Sequence, residues 1–145
     1  MASIVAYTGL APQIVQIVSD AATDAFTDGD LVKTASGELV LATATLKYIG
    51  IARTAAVTGN DQVIDVELLN PAEIYVVKAN TETAETNIGE SICITTFTAG
   101  AQIFTVGGSA GSADGYVVGL HPDDAEGLDG GRYLIRFEPG VLMGV

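Results

Sequence analysis

Two residue types that build many enzyme and metal sites are almost absent from this sequence, because cysteine and histidine each occur once, as Cys93 and His121. A single cysteine cannot form an internal disulfide. Zinc sites draw on several cysteine and histidine side chains, and a lone histidine does not supply such a set. The sequence also shows no nucleophilic side chain accompanied by a base and by a group that would orient the base. We therefore predict that the chain is not an enzyme and uses no cofactor and no metal.

Basic residues are scarce as well, since six Lys and Arg stand against 18 Asp and Glu and give a formal net charge of −12. Such a charge repels nucleic-acid phosphates and anionic lipids at long range. No apolar run reaches the length of a membrane span, and the first residues lack the basic start of a signal peptide. We expect no nucleic-acid partner, no membrane association and synthesis in the cytoplasm. The acidity itself fits either simple solubility or docking on a basic partner.

Two loops contain parts of known ligand motifs without matching them. Residues 107–115 are rich in glycine, but a strand-like run follows them where a phosphate-binding loop needs a lysine and a helix. Residues 121–129 combine the histidine with several carboxylates, yet their spacing does not match that of an EF-hand. We interpret this second loop as a solvated acidic loop, and weak calcium binding is the alternative.

Glycine, threonine, valine and isoleucine are abundant instead, which favours short twisted strands joined by turns. Residues 29–52 contain three apolar runs in succession, with a Ser36-Gly37 turn between the first two, and this order predicts a β-meander. Residues 63–69 and 132–138 alternate between apolar and polar side chains, as half-buried strands do. The sequence therefore predicts an all-β fold, either a small barrel or a sandwich-like body.

The second half of the chain echoes the first. The matching positions are Gly29 with Gly89, Gly50 with Gly119, and Pro71 with Pro139. We interpret the echo as a pseudo-repeat of residues 29–79 and 89–139, so that the body consists of two similar β modules. Both copies lie in a single β domain that covers residues 29–145.

Residues 1–28 differ from this pattern, and we interpret them as an extended N-terminal arm. Pro12 favours an extended conformation at the residue before it and separates two apolar patches. These patches either pack on the chain's own sheet or on a neighbouring subunit, and the sequence leaves both possibilities open. An apolar run at residues 73–79 is a second candidate for subunit contacts. The predicted partner or oligomer contacts are Ile4, Val5, Tyr7, Leu10, Ile14, Val15, Ile17, Val18, Ile74 and Val76.

The double pattern of Gly-Asp-x-Val, Ile-Gly-Ile-Ala and Val-Ile-Asp-Val-Glu-Leu in residues 29–139 resembles the capsid decoration, or head cement, proteins of tailed bacteriophages. The resemblance implies a β-barrel or β-tulip body that forms a homotrimer on the capsid exterior. The implied partner is the major capsid protein, and the implied function is to stabilise the shell by bridging neighbouring capsomers. A ligand- or carbohydrate-binding β-barrel module is the alternative, although the absence of tryptophan leaves few aromatic platforms for a sugar.

Overall fold

The computed structural model describes residues 4–7, 9–19, 25–42, 48–57, 61–80, 82–107, 113–124, 127 and 131–138. These ranges contain eleven strands in two antiparallel sheets and one short 3₁₀ helix, Glu85–Asn87. The strands are β1 (Val5–Ala6), β2 (Ile14–Val18), β3 (Leu31–Ala35), β4 (Glu38–Leu41), β5 (Tyr48–Ala52), β6 (Val63–Leu68), β7 (Tyr75–Lys78), β8 (Ser91–Thr96), β9 (Ile103–Val106), β10 (Gly115–Leu120) and β11 (Arg132–Phe137). The all-β prediction is confirmed. Within these ranges no helix has the length and hydropathy needed to cross a bilayer.

The two sheets share one strand order. The five-stranded sheet runs β2-β6-β5-β3-β4, and the six-stranded sheet runs β1-β7-β11-β10-β8-β9. Strands β2 to β6, residues 14–68, therefore have the same arrangement as strands β7 to β11, residues 75–137. We call these ranges module 1 and module 2. Neither sheet closes into a barrel, so the sandwich-like body is the predicted form that agrees with the structure.

Isolated bridges outside the strands repeat in the same way. Ser19, just after β2, bridges Leu39 of β4, and Ala79, just after β7, bridges Phe104 of β9. Each module is therefore curled so that its first strand approaches its third. Because β2 occupies the same place in module 1 as β7 does in module 2, the repeated unit begins with a strand that lies inside the predicted arm.

The predicted β-meander is wrong in its strand order. A meander over β3, β4 and β5 would place β4 in the middle, but β3 lies between the other two. The Ser36-Gly37 turn, with φ values of 52° and 84°, holds β4 against one edge of β3 as a tight hairpin. The other edge of β3 is then free to pair with β5, where Leu31 lies opposite Ile51.

The structure also corrects one of the predicted repeat positions. Val32 lies opposite Gly50, and Ile92 lies opposite Gly115, so the glycine equivalent to Gly50 is Gly115 and not Gly119. A Cβ atom at either equivalent glycine would collide with a backbone carbonyl of the next strand, that of Glu67 or that of Arg136. The nearest heavy atom to a Cβ at Gly119 would be the Leu134 Cδ1, at an ordinary 3.7 Å. The close approach of the next strand therefore requires glycine at Gly50 and Gly115 but not at Gly119.

Backbone hydrogen bonds support the corrected equivalence. The Gly29 amide donates to the Ala52 carbonyl, and the Gly89 amide donates to the Val117 carbonyl, both at 2.8 Å. Both glycines have positive φ, 95° and 91°, so the predicted match between them describes one shared turn conformation. The modules thus share the turn at Gly29 and Gly89, the close-approach glycine at Gly50 and Gly115, and the register in which their strands pair.

Two clusters of buried side chains form the core. The smaller one lies in module 1 and includes Val32, Ile64 and Val66. The larger one fills module 2 and extends into module 1; its members are Ile4, Leu31, Ala42, Tyr48, Ile51, Tyr75, Val77, Ala79, Ile92, Ile94, Phe104, Val117, Tyr133, Ile135 and Phe137. The alternation predicted for the last strand is confirmed, since its inward residues Tyr133, Ile135 and Phe137 are at most 1% exposed. The larger cluster is what joins the two modules.

The described part of the predicted arm packs on the chain's own two sheets. Strand β1 pairs with β7 in one sheet, and β2 pairs with β6 in the other. Ile4 is only 1% exposed, and its amide donates to the Gly29 carbonyl at 3.1 Å. Of the two possibilities that the sequence leaves open, the structure shows intramolecular packing for these strands. Residues 1–3, 8 and 20–24 of the predicted arm lie outside the described ranges.

Candidate functional site

Three polar contacts fix module 1 against module 2 and thereby decide which surfaces stay open. The Asp30 carboxylate accepts hydrogen bonds from the Gly100 amide at 2.9 and 3.0 Å. The Gln102 side chain bonds both the amide and the carbonyl of Leu31, at 2.6 and 3.0 Å. The Tyr48 hydroxyl donates to Asp114, whose pKa is raised by burial. The outer side of β3 is therefore covered by the loop that precedes β9.

The predicted contact residues divide by their exposure. Ile4 is buried in the core, so this structure does not present it to a partner. Four of the others, Val15, Ile17, Ile74 and Val76, are half-buried. The remaining five are Val5, Tyr7, Leu10, Ile14 and Val18, between 43% and 50% exposed. They make up five of the eight large hydrophobic side chains exposed in the described ranges, so most of this exposed apolar surface lies near the N terminus.

One exposed apolar strip follows the outer side of β2 and β6, and we call it the β2–β6 strip. Val18 and Val63 lie directly opposite each other in the register and are 43% and 58% exposed. Ile14, at the other end of β2 on the same side, is 50% exposed, and the hydrogen-bonded polar pair of Gln16 and Asp65 lies between. The predicted contact residues did not include Val63. The alternation of β6 places the Val63 side chain on the same face as Asp65, and the buried Ile64 points to the other face. That alternation was the signal that could have found it.

A second apolar area lies at the edge of the six-stranded sheet. Val5 of β1 lies opposite Val76 of β7, and Val76 lies opposite Leu134 of β11, so three apolar side chains cross the outer face of the sheet in a row. The Tyr7 ring lies beside the His121 ring, with 6.1 Å between the centroids. This area and the β2–β6 strip together contain five of the ten predicted contact residues, namely Val5, Tyr7, Ile14, Val18 and Val76.

A cleft of about 340 Å³ lies where the β1–β2 connection meets the β6–β7 connection. Its buried carboxylate is already in use, because Glu73 accepts hydrogen bonds from the amides of Leu10 and Ile74 at 2.9 and 2.8 Å. The Tyr75 hydroxyl accepts from the Asn70 amide at 2.9 Å, and burial raises the pKa of this tyrosine. Tyr75 is the aromatic residue in the lining and is only 2% exposed, so the described lining offers no exposed ring for sugar stacking.

The described part of the acidic loop is held by an ion pair. The Arg132 guanidinium binds Asp124 with two contacts, Nη2 to Oδ1 at 2.7 Å and Nε to Oδ2 at 3.1 Å, and lowers the pKa of that carboxyl. The Asp123 amide donates to the His121 Nδ1 at 3.2 Å. In the part of the chain that the structure describes, no three potential ligands are grouped so that they could hold a metal ion. Residues 125, 126 and 128–130 of the loop fall outside that part.

Comparisons with known proteins add information on the fold. No protein-family model matches the chain, and no curated protein matches it either. Among solved structures, it is similar to a virion component, the N base of the head fiber protein gp8.5 of bacteriophage phi29. The sequence identity is 15%, the TM-score is 0.53, and the similarity covers 87% of this chain and 95% of that chain. The two proteins therefore share a fold over nearly their whole length.

Proposed function

We propose that this protein is a structural component of a bacteriophage virion, which binds the outer surface of the capsid as an oligomer and bridges neighbouring capsomers. The observation that carries the proposal is the fold shared with the head fiber base over 87% of the chain. The sequence resemblance to capsid decoration proteins points to the same class of protein. The proposed partners are the major capsid protein and further copies of this chain in a homotrimer, with no nucleic acid and no membrane.

The exposed apolar surface near the N terminus supports a role in assembly. Solvent-exposed apolar groups in close proximity are typical of protein–protein interaction sites. In a homotrimer each weak contact would act together with two others at a high effective concentration, so modest contacts suffice for tight retention on a shell. The predictions that the chain is not an enzyme and uses no cofactor or metal remain predictions.

Cosedimentation with empty heads of the cognate phage tests this function. The double variant Ile14→Asp with Val18→Asp places charges on the β2–β6 strip, where both side chains are exposed and the fold is therefore expected to tolerate them. If this strip contacts the shell or a neighbouring subunit, the variant should lose most of its occupancy on heads.

The matched control is Ile88→Asp, because Ile88 is 47% exposed but lies beside the 3₁₀ helix, away from the strip. The control should bind heads as the unmodified protein does. Failure of the unmodified protein to sediment with heads at any concentration would contradict the proposed function.

A further inference from the structure

The duplication allows the same surface to be compared in the two modules. In module 1, Leu31, Ile51 and Glu67 lie side by side on the outer face of three adjacent strands. The first two are 0% exposed and Glu67 is 9% exposed, because module 2 and the N-terminal residues cover them. The outer face of module 1 is therefore an occupied docking surface within the chain.

The equivalent face of module 2 is less completely covered. The corrected register makes Ser91, Tyr116 and Arg136 the counterparts of those three residues, and each of them is half-buried. Ile74, which directly precedes β7, is half-buried too, and the Tyr7 amide donates to its carbonyl at 2.7 Å. We call the area formed by Tyr7, Ile74, Arg136 and Tyr116 the module 2 face.

The charge at the centre of this face has no counter-ion among the described residues. Glu67 binds the Arg53 guanidinium at 2.8 Å, whereas Arg136, at the equivalent position, forms no ion pair with any described carboxylate. Its Nε atom is buried and has no hydrogen-bond partner in the described part of the chain. A molecule that docks here and covers the rest of this guanidinium without supplying an acceptor would pay a desolvation cost, and a carboxylate is the group that offsets it best.

We propose that the module 2 face is the surface on which a second copy of this chain docks, with a carboxylate of that copy on the Arg136 guanidinium. A second copy has the required charge, since its 18 acidic residues against six basic ones make carboxylates its dominant charged surface group. The chain also already packs one such module against the equivalent outer face. This inference rests on the proposed function and adds to it the interface through which the oligomer forms.

Sedimentation velocity of the isolated full-length protein, from low to high micromolar concentration, tests the inference without any capsid. The unmodified protein should self-associate, and Arg136→Glu should weaken that association by about tenfold or more. Because the protein carries a charge of −12, any added negative charge increases repulsion between copies. Lys33→Glu makes the same change of charge on β3 of module 1 and measures this general effect. It should weaken association far less than Arg136→Glu.

Folding of each variant is checked by its thermal melt, and Arg136→Gln, which removes the charge and keeps the length, replaces Arg136→Glu if that variant does not fold. A monomeric unmodified protein at high micromolar concentration would overturn the inference, as would equal effects of the Arg136 and Lys33 variants. If the unmodified protein is monomeric but sediments with heads, and Arg136→Glu abolishes that binding, the occupant of the face is the capsid and not a second copy. The capsid binding in the proposed function would then stand, while its oligomer and this inference would fail.

Discussion

Module 1 and module 2 have the same strand order, yet module 2 is better covered at its first strand. Val15 and Ile17 of β2 are half-buried, whereas their counterparts Tyr75 and Val77 of β7 are 2% and 1% exposed. The difference follows from β1, which adds a sixth strand outside β7 and has no equivalent next to β2. A short N-terminal strand thus turns an edge strand of one module into an interior strand.

The two modules agree inside and differ outside. Their shared features are the positive-φ glycine before the second strand, the close-approach glycine and the pairing register. The outer positions differ in kind, since Glu67 corresponds to Arg136 and Val63 corresponds to Arg132. Backbone geometry that the fold needs is therefore kept in both copies, while the residues at the outer positions have changed.

The largest expected effect comes from the close-approach glycines. Gly50→Ala and Gly115→Ala each place a methyl group against a carbonyl of the next strand, and we expect each to lower the free energy of unfolding by about 3 kcal/mol. Chemical denaturation of the purified variants measures the loss.

Gly119→Ala is the control for these variants, because its new methyl group meets only ordinary contact distances. It should change stability by less than about 1 kcal/mol. A Gly119→Ala variant that is destabilised more than Gly115→Ala would contradict the structural register and favour the one predicted from sequence.

A somewhat smaller loss is expected at the strand that distinguishes the modules. Ile4→Ala removes a side chain that is 1% exposed and should cost about 2 kcal/mol. Val5→Ala, at the neighbouring position that is 46% exposed, should cost less than about 0.5 kcal/mol. Denaturant titration of both variants makes the comparison. Equal costs would show that β1 does not dock as described.

The next prediction concerns a buried carboxyl that module 1 lacks. Asp114 corresponds to Ile49, and burial raises the pKa of the aspartate above its ordinary value of 3.8. The folded state therefore binds this proton more tightly than the unfolded state, so Asp114 favours folding at low pH and loses that contribution as the pH rises through its folded pKa.

Asp114→Asn removes this titration. The stability of the unmodified protein relative to the variant should fall as the pH rises from about 4 through the raised pKa of Asp114, and thermal melts at several pH values would measure the difference. An unchanged difference across that range would show that the carboxyl does not titrate as its burial implies.

The smallest expected effect is that of calcium. The Asp124 carboxylate is bound by Arg132, a residue whose counterpart in module 1 is uncharged, and no described group of ligands is ready for a metal ion. Millimolar calcium and a chelator should leave the melting temperature unchanged. A rise of several degrees that chelation reverses would reveal a site through binding to the native state.

Much of the fold could be predicted because alternation is a local property of the sequence. The inward set on β11 and the hairpin at Ser36 follow from patterns a few residues long. Strand order is not local, and the pairing of β3 with β5 depends on which edge of β3 the hairpin leaves free. The match of Gly50 with Gly119 failed for a related reason, since similar neighbours in sequence do not fix the register between strands.

The candidate surface could be predicted only in part. The exposure of β2 alternates with a period of two and separates exposed Ile14 and Val18 from half-buried Val15 and Ile17, but all four residues are apolar, so the sequence alone does not separate them. Nothing in the sequence showed that Ile4 enters the core or that Arg136 has no counter-ion among the described residues. Both facts depend on contacts between residues far apart in the chain.

The pairing of β1 with β7 also has a consequence for the order in which the chain is synthesised. Module 1 contains all five of its strands within residues 14–68, so its pairing can be completed while the ribosome is still making module 2. Val5 must wait for Val76, and Ile4 has no complete core to enter until then. During translation the segment that contains Ile4 and Val5 is therefore apolar and exposed until β7 has been made, and we expect chaperones to bind it.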